Sequence, residues 1–124
     1  CPKPGYVRFN RVCYKYFSEY KSYNQARQTC ISDGGMLAMP KDSVTNSFIF
    51  KLNNRYTYPW IGLNDVANKG QWVFEDGQTL ASTGFSNWRP GEPNDLYHCV
   101  GGNLEESTWY NRKCGWEYRF ICQI

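Results

Sequence analysis

Six cysteines, Cys1, Cys13, Cys30, Cys99, Cys114 and Cys122, run from one end of the chain almost to the other and constrain its fold more than any other feature. They are even in number, and none forms the paired C-x-x-C clusters of thiolate metal sites. Three disulfides are the expected outcome, with fifteen connectivities open on spacing alone. Disulfides persist in oxidising compartments, so the chain reads as secreted or as the outer part of a cell-surface molecule. A signal peptide is then expected upstream, and the sequence from Cys1 reads as a mature or trimmed segment. At 124 residues one domain suffices, large enough for a real core and small enough for covalent staples to matter.

Charge and hydropathy remove several functions. The formal net charge of +3 is dispersed, with no Lys/Arg block of the kind that tracks a phosphate backbone, so nucleic acid is not an expected partner. No run is long and apolar enough to span a bilayer, and direct membrane insertion is not expected. The sequence contains no N-x-S/T sequon.

Local patterns indicate an α+β fold. Around Tyr6, Arg8 and Phe9, then Tyr14, Tyr16 and Phe17, aromatic and polar residues alternate as in a hairpin. Ser22-Tyr23-Asn24-Gln25 fits a capping box, opening a helix that buries Ala26, Cys30 and Ile31 and stops at Gly34-Gly35. A second helix from Asp42 or Ser43 is expected to bury Val44, Phe48, Ile49 and Leu52 and to end at Asn53-Asn54. Trp60-Ile61-Gly62-Leu63 suits a strand buried on both faces, and Gln71-Trp72-Val73-Phe74 a strand ending at the Glu75-Asp76-Gly77 turn. From Gly77 to Asn111 there is little periodicity, and long irregular segments in compact domains usually carry function. Short strands are expected around Cys99-Val100 and over Tyr118 to Cys122.

These motifs, in this order, resemble the C-type lectin-like domain over nearly the whole chain. Trp60-Ile61-Gly62-Leu63 matches that family's core strand, Trp72 to Gly77 its W-x-x-x-D-G turn, and Asn87-Trp88 with Glu92-Pro93-Asn94 its long loop. Gly34 to Lys41 also looks like the segment after the first helix in collectin-type members. The resemblance implies a double-looped fold with two helices, small antiparallel sheets and a long loop. It also implies disulfides Cys30 to Cys122 and Cys99 to Cys114, with an N-terminal hairpin closed by Cys1 to Cys13.

In sugar-binding members of the family, a cis proline projects its two neighbours to one side, where they bind Ca²⁺ and a pair of sugar hydroxyls. Carried over, the candidate carbohydrate contacts are Glu92, Asn94, Tyr97, Tyr110 and Asn111, and the Glu-Pro-Asn order suits mannose-type hydroxyls. The candidate metal ligands are Glu92, Asn94, Asp95 and Asn111. Calcium affinity rises with carboxylate count, yet Tyr97, Tyr110 and Asn111 stand where the family places a Glu, an Asn and an Asp. Affinity is therefore expected on the order of 10⁻⁴ to 10⁻³ M or weaker. An auxiliary calcium site fares no better, since Asp65 matches but Lys69 replaces an acid. A plain turn at Glu92-Pro93-Asn94, without metal, stands beside the weakened site as the alternative.

Catalysis is not expected. The single histidine, His98, adjoins a cysteine of the disulfide set, so neither a nucleophilic triad nor a zinc site assembles around it. Glu105-Glu106 read as solvated surface rather than a glycosidase pair. The expected function is extracellular, non-enzymatic recognition by the loop from about Phe85 to Asn111, directed at a glycan or cell-surface glycoprotein, including microbial surfaces in innate immunity. Calcium-independent binding of a protein partner is the alternative. Trp116 is the tryptophan expected to be exposed.

Overall fold

The computed structural model describes residues 1–53 and 56–124. Strands β1 (Val7–Phe9) and β2 (Val12–Lys21) form the N-terminal hairpin. Helix α1 (Tyr23–Ser32), the two-residue β3 (Met36–Leu37), helix α2 (Ser43–Ile49) and β4 (Trp60–Asn64) follow. The second half holds β5 (Val73–Phe74), a short α3 (Leu80–Thr83), β6 (Cys99–Asn103), β7 (Thr108–Arg112) and β8 (Tyr118–Gln123).

All eight described strands join one sheet, in the order β1-β2-β8-β4-β6-β7, with β3 on β8 and β5 on β4. Every pairing is antiparallel except β4 against β8, which meet in parallel at Trp60 and Phe120. The fold class is α+β as expected. In its details, among the described residues, it has three helices rather than two, and one mixed sheet rather than several small antiparallel ones. The added helix and strand β7 lie between Gly77 and Arg112, beside β6, the strand expected around Cys99-Val100 and buried along every residue.

Side-chain alternation along the central strands divides the core. Ile61, Leu63 and Ile121 pack with Ile49, Phe50, Phe74, Val100 and Trp109. Trp60, Phe120 and Cys122 point to the opposite face, with Tyr23, Ala26, Cys30 and Leu37. The bonds Cys1–Cys13, Cys30–Cys122 and Cys99–Cys114 are the three that the family resemblance implies. Cys30–Cys122 ties α1 to β8, and Cys99–Cys114 holds the strands that flank the long loop. At the hairpin edge, Cys13 and Ile124 exchange two backbone hydrogen bonds, 2.9 and 2.8 Å, so both chain ends lie together beside β2. Among the described residues no helix is long and apolar enough to cross a membrane.

The Ser22/Gln25 capping box is present, and Asp42 caps α2 by accepting from the Thr45 amide at 2.8 Å. Two burial expectations fail. Ile31 is exposed, because the buried stripe of α1 is Tyr23, Ala26 and Cys30, and Ile31 lies one residue off it. Val44 is also exposed, at 62%, and Asn46 takes the inward position. Asn46 outcompetes the valine because both halves of its amide are matched: Oδ1 accepts from Trp109 Nε1 at 2.8 Å, and Nδ2 donates to the Ser107 carbonyl at 2.9 Å. Phe48 and Leu52 are partly buried and Ile49 fully so. The helix closes at Phe50, earlier than expected, and Asn54 of the expected Asn53-Asn54 stop lies outside the described residues.

Gly34 ends α1 with a positive φ of 92°, and the following Gly35 leaves no room for a side chain. A Cβ there would sit 1.9 Å from the Gln123 carbonyl oxygen, which belongs to β8 and cannot yield locally. Gly35→Ala should lower stability by about 2–3 kcal/mol, the upper range for overpacking. Chemical denaturation checks it, with an unchanged midpoint as the contrary result.

Candidate functional site

The long loop is built on the β6–β7 hairpin, where Val100 pairs with Asn111 and Gly101 with Tyr110. Trp109 provides its foundation. This indole is fully buried and packs on Phe85 and Trp88, each with ring centres at 5.7 Å, while Trp72 lies on Trp88 at 5.1 Å. The backbone of Trp109 also clasps the entering chain, donating to Asn87 O at 2.9 Å and accepting from Arg89 N at 2.8 Å. A turn then closes, with Glu92 N donating to Arg89 O at 2.9 Å, and leads into a cis Glu92–Pro93 peptide bond.

Beyond the proline the loop is held by one side chain. Asn111 is 2% exposed, and its Oδ1 accepts from the Asn94 amide at 2.9 Å. Its Nδ2 faces the Asn94 carbonyl at 2.8 Å, Asn94 Oδ1 at 3.2 Å and the Tyr97 carbonyl at 2.7 Å. The Asn111 amide therefore acts as a clamp across residues 94–97. Above it, Asn94 Nδ2 donates to Glu92 Oε2 at 3.2 Å, so a half-exposed carboxylate and amide lie side by side. Asn94 Oδ1 also accepts from Leu96 N at 2.9 Å. Asp95 is exposed beside them.

The structure thus brings Glu92, Asn94 and Asn111 into direct contact and separates the two tyrosine rings. Tyr97 contributes its carbonyl to the clamp, while its ring packs on Trp116 at 5.1 Å; Trp116 is 43% exposed, as expected. Tyr110 packs edge-on against Tyr58 at 6.0 Å, with the Arg112 guanidinium 3.6 Å and that of Arg89 5.9 Å from its ring centre. Burial, the largest cause, pushes the Tyr110 phenol up to about 12, so it stays neutral across the physiological range. Arg112 is itself buried, faces Tyr58 and Tyr118 as well, and donates to the Tyr58 carbonyl at 3.3 Å. Burial lowers its pKa from the ordinary arginine value. The sequence reading missed this caged cation, since arginine is normally exposed; the cluster of Tyr58, Tyr110 and Tyr118 was its available signal.

The donor set fits a calcium ion poorly. Calcium takes six to eight oxygens and favours carboxylates, whereas Glu92 is the one acid in the clamp, and Asn111 turns an N–H toward three oxygens that a cation would compete for. Asp65, at the auxiliary position, is consumed by His98 Nδ1 at 2.9 Å and Gly70 N at 2.8 Å. Among the described residues no three Asp, Glu, His or Cys side chains converge as a metal site.

Residues 19–124 match the family model described as the lectin C-type domain. The chain belongs to the C-type lectin family. It is 35% identical to human collectin-10 over 116 residues, covering 90% of this chain and 41% of that protein. It is 33% identical to the C-type lectin lectoxin-Lio3 of Erythrolamprus poecilogyrus, covering 99% and 80%. The chain spans about two fifths of the length of the collectins it matches. Among solved structures, the cow CD23 carbohydrate-recognition domain, crystallised in the presence of a GlcNAc2Man3 oligosaccharide, superposes with TM-score 0.90 at 31% identity, covering 100% of this chain and 95% of that one. A calcium-independent type II antifreeze protein superposes at 0.89 and 22% identity, covering 100% and 93%, which shows the shared fold alone. This C-type lectin domain is a non-enzymatic module.

Proposed function

We propose that this C-type lectin domain is an extracellular glycan-recognition module of mannose type, acting at the Glu92–Asn94 tip with calcium weak or dispensable. The pairing of Glu92 Oε2 with Asn94 Nδ2 carries the reading. It offers an acceptor and a donor side by side, spaced to exchange hydrogen bonds with two neighbouring hydroxyls of a pyranose. Asn111 pre-organises that tip, which reduces the ordering cost of binding. The likeness to a domain crystallised in the presence of a mannose-containing oligosaccharide supports the same reading. So does the trio of disulfides, which suits an oxidising, extracellular setting. Microbial cell-wall glycans and host glycoproteins both present such hydroxyl pairs, and innate recognition of the former is the role we assign.

The exposed Arg89 over Tyr110, with Tyr58 beside it, favours the second reading, calcium-independent binding of a protein partner, because these side chains give the surface by the tip aromatic and cationic character. Retention on immobilised mannan, in calcium and in chelator, separates the two. We expect the domain to be retained in calcium and Glu92→Ala to lose roughly tenfold or more in affinity, as befits a charge-assisted contact. Flow-through of the native domain in both buffers would overturn the glycan reading.

A further inference from the structure

A hollow lies outside the long loop, between the start of α1, strands β4 and β5 and the Cys99–Cys114 bridge. Its volume is about 730 Å³, within the range of small-molecule sites, roughly 300–1,000 Å³. None of the Glu92, Asn94, Tyr97, Tyr110 and Asn111 set lines it.

One end is polar and built. Glu75, 8% exposed at its side chain, accepts from Arg27 Nε at 2.6 Å through Oε1, and from Tyr23 Oη at 2.6 Å and Asn64 Nδ2 at 3.0 Å through Oε2. Both oxygens are thereby occupied, so the acid has little left for an incoming donor. Arg27 differs: its side chain is 41% exposed, and among the described residues only its Nε is engaged. Its two terminal nitrogens are open donors on the wall of the hollow. Val66, Ala67 and Val73 add apolar lining, while the Phe74 ring is turned into the core. The open charge in the hollow is therefore positive and sits beside a greasy surface.

We propose that this hollow is a binding site for a small amphipathic carboxylate, such as a medium-chain fatty acid. The carboxylate takes the terminal nitrogens of Arg27, and the alkyl chain covers Val66, Ala67 and Val73. A guanidinium fork presents parallel donors matched to two carboxylate oxygens, and burial of an alkyl chain against apolar side chains supplies the rest. The site is independent of the glycan reading, sharing none of its residues.

Octanoate and octan-1-ol, titrated separately into the ¹⁵N-labelled domain and followed by amide chemical shifts, test this. Octanoate should shift Arg27, Ala67, Gln71 and Gly115 saturably, and octanol should bind roughly tenfold or more weakly for want of the charge-assisted bonds. Arg27→Gln keeps a donor toward Glu75 and should bring octanoate down to the octanol level. Ala67→Trp, at an exposed position, should fill the hollow and abolish both while leaving retention on mannan unchanged. The comparison of the two probes and Ala67→Trp decide the matter even if Arg27→Gln fails to fold. Absence of saturable octanoate shifts, equal affinity for octanol, or binding that survives Ala67→Trp would each overturn the proposal.

Discussion

Asn111→Ala should cost about 2–3 kcal/mol of stability and release the tip of the long loop in the same step. The magnitude follows from what is stranded. The Asn94 amide and the Asn94 and Tyr97 carbonyls lose one buried partner between them, and each buried polar group left unpaired costs about 1–3 kcal/mol, less where water can reach it. Asn94 and Tyr97 are only partly buried, so water offsets some of the loss. The second effect is the sharper one. Without the clamp, Glu92 and Asn94 are no longer held side by side, so retention on mannan should fall even at temperatures where the variant remains folded. Denaturant midpoints give the first quantity, and amide hydrogen exchange over residues 94–97 the second. A variant of native stability with native protection of Asn94 would show that the amide is not the clamp.

Trp109→Ala should be more damaging, at about 3–5 kcal/mol, the range for removing a buried large aromatic. It removes the surface on which Phe85 and Trp88 rest and leaves Asn46 Oδ1 buried without its donor. The loop's entry is hydrogen-bonded to the Trp109 backbone, and the collapse of the strand's packing should loosen it. Limited proteolysis should then cut between residues 85 and 98 well before the rest of the domain. Trp109→Phe separates the causes: it restores most of the packing but not the N–H, and about 1–3 kcal/mol of loss should remain for the orphaned Asn46. Equal stability of the phenylalanine variant and the native protein would mean that the indole hydrogen bond contributes nothing.

Where local chemistry and tertiary packing agree, the fold was legible in the residues themselves. Ser22 with Gln25, Asp42 before α2, and the unbroken Trp60-Ile61-Gly62-Leu63 run each satisfy a requirement that no long-range contact contradicts. Legibility failed where a polar residue had a distant partner. Asn46 displaces Val44 from the buried face because Trp109 and Ser107, more than sixty positions away, complete its amide. The pairing of the six cysteines came from the family resemblance and not from their spacing, which left every connectivity open. At the candidate site the expected contacts Glu92, Asn94 and Asn111 come together in the fold, but their arrangement was not legible in the sequence. An asparagine in place of an acid becomes a clamp because its N–H can face carbonyls that a carboxylate would repel. The two tyrosines, grouped by position, diverge because each finds a different large neighbour: Trp116 for one, Arg112 and Tyr58 for the other.

The Cys1–Cys13 bridge and the mutual hydrogen bonds of Cys13 and Ile124 place both chain ends beside β2, toward one side of the sheet, while the β6–β7 hairpin that supports the Glu92–Asn94 tip lies at the other margin. A stalk, scaffold or surface joined at either end would meet the domain on the side of that sheet away from the Glu92–Asn94 tip. Several copies could then be ganged on a common support without masking one another's tips. Weak single contacts would add up through effective concentration rather than through any new bond.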